Sequence, residues 1–149
     1  MIDSSVLGQY SLFDGLEQTQ IDGILPLMKH EVYEAGEDII SEGGHNDKLY
    51  FILEGRVAVV KSGIILSEFS EGVVFGEMEV LELAPVEATI KTLTSAKIMS
   101  LSIDALGEIY ETDLKTYAFI IMNLARDLSR RLRHMNEKVA RDTPYMEWN

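Results

Sequence analysis

Between Glu31 and Ser102 the chain is cut into short runs of β-branched and apolar residues, most of them separated by a turn that contains glycine. The runs are Val32-Tyr33, Asp38–Ile40, Leu49–Leu53, Arg56–Val60, Ile64–Leu66, Val73–Phe75, Ala88–Ile90 and Lys97–Leu101. Ala35-Gly36, Gly43-Gly44, Glu54-Gly55, Ser62-Gly63 and Glu71-Gly72 lie between them. Tight hairpins need a positive φ, which glycine adopts without steric cost. Runs this short and this evenly spaced leave no room for crossover helices, so they predict an antiparallel sandwich or barrel. A β jelly roll fits best.

The flanks have a different period. Residues 1–30 place Leu12, Phe13, Leu16, Ile21, Ile24, Leu25 and Leu27 at helical intervals, with Thr19 a candidate N-cap. After the strand-rich segment 31–102, residues 103–142 read as a short helix capped by Ser102 or Asp104, then a long one capped by Thr112. The long helix carries Leu114, Tyr117, Ile121, Leu124, Leu128, Leu132 and Met135 at alternating spacings of three and four. Such a stripe suits a coiled-coil seam, so these residues are expected at the interface of a homodimer. Residues 143–149 form a tail with Trp148. All of this fits one domain, mostly β with flanking helices.

Charge narrows the class. Residues 1–111 hold 20 acidic and 6 basic residues, net −14, whereas 112–149 hold 5 and 7, net +2. A body this acidic repels phosphate backbones, so no nucleic acid is expected to bind the chain by itself. No apolar run approaches the roughly 20 residues of a membrane span. With no cysteine and no secretion signal at Met1–Ser5, a cytoplasmic location and no membrane partner are expected. His30, His45 and His134 are scattered and do not form the His-x-His pair of a cupin metal site. No nucleophile elbow, P-loop or dinucleotide fingerprint occurs. No enzyme, metal or catalytic residue is therefore expected.

One segment carries more specific information. Val74-Phe75-Gly76-Glu77-Met78 is followed by Pro85-Val86-Glu87-Ala88-Thr89. Together with Gly36–Gly43 and Leu49–Val57, it resembles the phosphate-binding cassette and glycine-bounded strands of the cyclic-nucleotide-binding domain. The long helix is similar to that of the catabolite activator protein at Ser129-Arg130-Arg131-Leu132 and Glu137-Lys138-Val139. The resemblance covers roughly residues 10–140. It implies a ligand pocket within 74–89, formed by Phe75, Gly76, Glu77, Met78, Val86, Glu87, Ala88 and Thr89, with Met135 and Asn136 from the long helix over the base. It implies that Glu77 accepts a hydrogen bond from the ribose 2′-hydroxyl and that the cassette-helix amides face the phosphate. The family's helix-turn-helix has no counterpart before Asn149.

The cassette departs from the family where the phosphate binds. Val86 stands where the family has arginine, Glu79 where it has alanine, and Glu87 is adjacent. A charge-assisted hydrogen bond contributes about 1.5–3 kcal/mol. A carboxylate about 5 Å from the phosphate adds roughly 3 kcal/mol of repulsion at an effective dielectric near 20. Together these weaken binding by roughly a thousandfold or more. The expectation is a non-catalytic regulatory module with a degenerate phosphate site. It would act through an effector protein as yet unknown or sense another ligand, with no cofactor. The alternative is a genuine cyclic AMP or cyclic GMP sensor, holding its ligand weakly through backbone and Glu77.

Overall fold

The computed structural model describes residues 3–144; the expected tail with Trp148 lies mostly outside them. Two four-stranded antiparallel sheets face one another, in the strand orders β1-β8-β3-β6 and β2-β7-β4-β5. The strands are β1 (Lys29–Tyr33), β2 (Asp38–Ile40), β3 (Lys48–Glu54), β4 (Val57–Lys61), β5 (Ile64–Phe69), β6 (Val74–Phe75), β7 (Thr89–Thr92) and β8 (Ala96–Ser102). Every expected run is thus a strand, and the jelly roll is the fold. The Gly55 turn explains one glycine physically. Its φ is +98°, and a Cβ there would lie 2.4 Å from the Ser95 carbonyl oxygen.

Period-two alternation gives the first sheet two buried faces. On β3, Leu49 and Phe51 join one apolar cluster while Tyr50 and Ile52 join another; on β8, Met99 and Leu101 oppose Ile98. The Tyr50/Ile52/Ile98 face meets the second sheet. The Phe51/Met99 face is covered by the helices: α1 (Ser4–Leu7), α2 (Gln18–Ile24), α4 (Ile103–Thr112) and α5 (Leu114–Asp142). The sixth strand leads into a short α3 (Glu77–Glu82).

Two expected caps move by one or two residues. Gln20 accepts from the Glu17 N–H at 2.8 Å, so the second helix begins after Glu17 and not at Thr19. The long helix is capped by Asp113, whose carboxylate accepts from the Thr116 N–H at 3.1 Å. Thr112 instead closes the preceding helix, its hydroxyl donating to the Glu108 carbonyl at 2.8 Å. Asp113 wins because a carboxylate opposite free N–H groups also answers the helix dipole. Ser102 caps α4 by accepting from the Ala105 N–H, as expected.

The fully buried side chains of α5 all lie in its first half. Ile120 and Leu124 are 1% and 2% exposed in the helix-facing core, each stabilising the contact by about 2 kcal/mol. Asn123 donates to the Leu12 and Asp14 carbonyls at 2.9 Å. From Leu132 onward every residue of the helix is exposed.

Candidate functional site

The cassette begins where β6 ends. Gly76 takes a φ of +84°, and a Cβ there would meet the Lys48 carbonyl oxygen at 2.6 Å. No other residue type fits this turn without moving β3. Asn46, buried at 7% exposure, clamps it by donating to the Lys48 and Gly76 carbonyls at 2.9 and 3.2 Å. Phe75 stacks on Tyr50 with ring centroids 5.0 Å apart. The helix α3 then runs to Leu83, which ends it at a φ of +55°.

The returning segment closes on the loop before β3. Gly43 N–H donates to the Val86 carbonyl at 2.9 Å, and Val86 N–H reaches the Gly44 carbonyl. The Thr89 hydroxyl accepts from the Glu42 N–H at 3.0 Å. Val86 itself is 4% exposed and belongs to the apolar cluster with Ile40, Tyr50 and Phe75. Its side chain is a core residue of the inter-sheet space. Ala88 and Thr89 are half-buried, while Met78 and Glu87 face solvent.

Glu77 is buried, and its charge is answered from a distance of 54 residues along the chain. Arg131 of α5 donates to Glu77 Oε1 at 3.1 Å and also to the Val74 carbonyl. Its guanidinium lies 5.1 Å from the centre of the Phe69 ring. An ion pair, a carbonyl and an aromatic face thus hold one side chain, an arrangement suited to the planar guanidinium. Glu79 is half-buried; burial first, and then the Glu77 and Glu87 charges, push its carboxyl up. Bonds from its own amide and from Asn46 oppose that rise.

Among the residues expected from sequence, the structure brings Phe75, Gly76, Glu77 and Val86 together around the cassette. Met135 (61% exposed) and Asn136 stand free on the outer half of α5, with Arg131 in contact with the cassette one turn earlier. Leu124, expected at a dimer seam, is buried in its own chain's core. The stripe faces inward at that point because α4 and the turn at Ser11–Phe13 pack against it. Tyr117 and Leu128 are half-buried against the same core, and Ile121 is half-buried. Leu114, Leu132 and Met135 remain exposed. The arginine was missed as a site residue because basic residues crowd that end of the helix. The available signal was spacing: 124, 128 and 131 follow i, i+4, i+7, which places an arginine on the body-facing stripe.

Among the described residues, no group of three His, Asp or Glu is placed to hold a metal ion. No helix among them is long and apolar enough to cross a membrane.

Comparison with known proteins agrees with this geometry. The family description of the cyclic nucleotide-binding domain matches residues 30–113. Glutaminase 2 of Bradyrhizobium diazoefficiens is 32% identical over 138 residues, 92% of this chain and 22% of that protein. The mouse potassium/sodium hyperpolarization-activated cyclic nucleotide-gated channel 2 is 33% identical over 100 residues, 67% of this chain and 12% of the channel. The chain therefore spans less than a quarter of either relative. A cyclic nucleotide-binding domain from Methylobacillus flagellatus superposes with a TM-score of 0.84 at 21% identity, covering 97% of this chain and 84% of that one. The Thermus thermophilus catabolite activator protein does so with a TM-score of 0.74 at 24% identity, covering 87% and 62%.

Proposed function

This chain belongs to the cyclic nucleotide-binding domain family of regulatory modules, and on that premise we propose that its phosphate site is degenerate and its output runs through α5. The module is non-catalytic and works on a partner protein or answers to a ligand other than cyclic AMP or cyclic GMP. The observation that supports this is Val86, an apolar core residue at the position of the family's arginine. An entering phosphate would meet that apolar wall and the half-buried Glu79 carboxylate. Glu87 faces solvent and adds little repulsion, so the penalty comes from the lost guanidinium and from Glu79.

The outer half of α5 offers Leu132, Met135 and Val139 at exposures of 60–62%. In this reading they pair with a second copy of the chain. Because Arg131 of the same helix holds Glu77, the state of the cassette and the pose of the dimer helix are joined mechanically.

A second reading is a true cyclic nucleotide sensor. It is favoured by the Arg131 guanidinium, which reaches the cassette from α5 and would have to serve a phosphate in place of the missing arginine. Calorimetric titration separates the two. No binding of cyclic AMP or cyclic GMP below about 1 mM is expected for the native chain. Val86→Arg with Glu79→Ala and Glu87→Ala, its folding checked by circular dichroism because position 86 is buried, should gain tenfold to a thousandfold where it folds, most of it from the first two changes. Micromolar binding by the native chain would overturn the first reading and establish the second.

A further inference from the structure

Away from the cassette, on the helix-facing side of the first sheet, a cleft of about 680 Å³ opens between the N-terminal helices and the ends of β3 and β8. That volume lies within the roughly 300–1,000 Å³ of small-molecule sites. Leu25, Met28 and Leu53, all half-buried, and the buried Met99 make its floor. Val6, 40% exposed, stands at its mouth. Tyr10 forms a wall, held by an edge-to-face contact with Phe51 at 4.8 Å and by a hydrogen bond from its hydroxyl to Glu71.

The charges on the rim are unbalanced. Lys97 pairs with Glu54 at 3.5 Å. Asp3 and Glu71 have uncharged donors, the Ser5 amide and hydroxyl for one and the Tyr10 hydroxyl for the other. These donors satisfy lone pairs without cancelling charge. Among the described residues no cation pairs with these two carboxylates, which stand over an apolar floor, and exposed His30 completes the lining.

We propose that this cleft is a second ligand site, separate from the cassette, that takes a small amphiphilic amine: an aromatic or branched apolar body bearing one ammonium group. The body covers Leu25, Met28 and Leu53, and the ammonium sits between Asp3 and Glu71. An anion is rejected by the same two carboxylates. A neutral molecule gains only the apolar contact. The site shares no residue with the cassette, so its success or failure is independent of nucleotide binding.

Three isosteric probes test the claim: 3-phenylpropylamine, 3-phenylpropanol and 3-phenylpropionate, titrated into the ¹⁵N-labelled protein at low salt. Amide shifts should concentrate in residues 3–10, 28–30 and 97–99 with the amine. The alcohol should bind about tenfold more weakly and the carboxylate not at all. Glu71→Gln keeps an acceptor for Tyr10 and should weaken the amine about three- to fivefold while leaving the alcohol unchanged. Val6→Trp should fill the mouth and abolish binding. Equal affinity for amine and alcohol, shifts elsewhere on the molecule, or undiminished binding by Val6→Trp would overturn the proposal.

Discussion

Replacing Arg131 by methionine removes the guanidinium and keeps an unbranched apolar stem against Phe69. What remains is the Glu77 carboxylate, with side-chain exposure of 8%, and no cation beside it. Breaking a buried pair from one side costs about 3–5 kcal/mol. The 28% exposure of the arginine side chain lets water reach the gap, which sets the expected cost near 3 kcal/mol. For a chain of this length that is roughly 6–12 °C of melting temperature. Glu77→Gln leaves an acceptor for the guanidinium and should cost about 1 kcal/mol. The double replacement buries no charge and should cost little more than that, giving a coupling energy of about 2.5–3 kcal/mol. Arg130→Met is the control. Its partner Asp127 lies 2.8 Å away, but the arginine is 57% exposed, so its loss should cost under about 0.5 kcal/mol. Urea unfolding of the four cycle members and the control measures all of these. A coupling below about 0.5 kcal/mol would refute the reasoning, because it would mean that water screens Glu77 as well as it screens a surface carboxylate.

Two further outcomes follow from the geometry. Leu132→Glu with Met135→Glu changes only exposed positions, so it should turn the expected dimer into a folded monomer by light scattering at tens of micromolar; charged residues at half-buried Leu128 should instead unfold the body. Glu79→Gln should raise the melting temperature at pH 7, because a carboxyl raised above its ordinary 4.5 in the folded state weakens the fold once it ionises. Folding binds the proton more tightly, so native stability falls as pH rises from 4.5 through the raised value; the advantage of the glutamine should shrink to nothing below about pH 4, and an advantage independent of pH would contradict the burial argument.

The sandwich was legible because glycine and alternation act locally: a turn such as Glu54-Gly55 and a strand such as Leu49–Leu53 state their conformation within a few residues. Tyr50 and Phe51 lie on opposite faces of their strand and both are buried, since helices cover one face and the second sheet the other. The cassette glycine and glutamate were visible through the resemblance of Phe75-Gly76-Glu77-Met78 to the family's cassette. Which partner answers Glu77 was not. That contact joins residues 54 apart, and Arg130, Arg131 and Arg133 differ only in the direction each faces around α5. The seam was ambiguous for a related reason. One apolar stripe serves the chain's own core at Leu124 and solvent at Leu132, and periodicity records the stripe without saying what lies opposite. Caps were uncertain by a residue or two because Thr112 and Asp113 can both accept from a helix N-terminus.

The burial pattern of α5 has a mechanical consequence. Leu124 marks its last fully buried side chain, and the helix continues to Asp142. At 1.5 Å per residue, Arg131 lies about 10 Å beyond that fulcrum and the tip about 27 Å beyond it. If the helix pivots there as a rigid rod, displacement grows in proportion to distance. A shift of about 1 Å at Arg131 would then move the tip by about 2.6 Å. That is about half the 5.4 Å pitch of a helix, so in the proposed dimer it would carry the helix end out of one packing hollow and partway toward the next. The lever arm is thus set by where the buried stripe stops, and moving that boundary by one turn would change its gain.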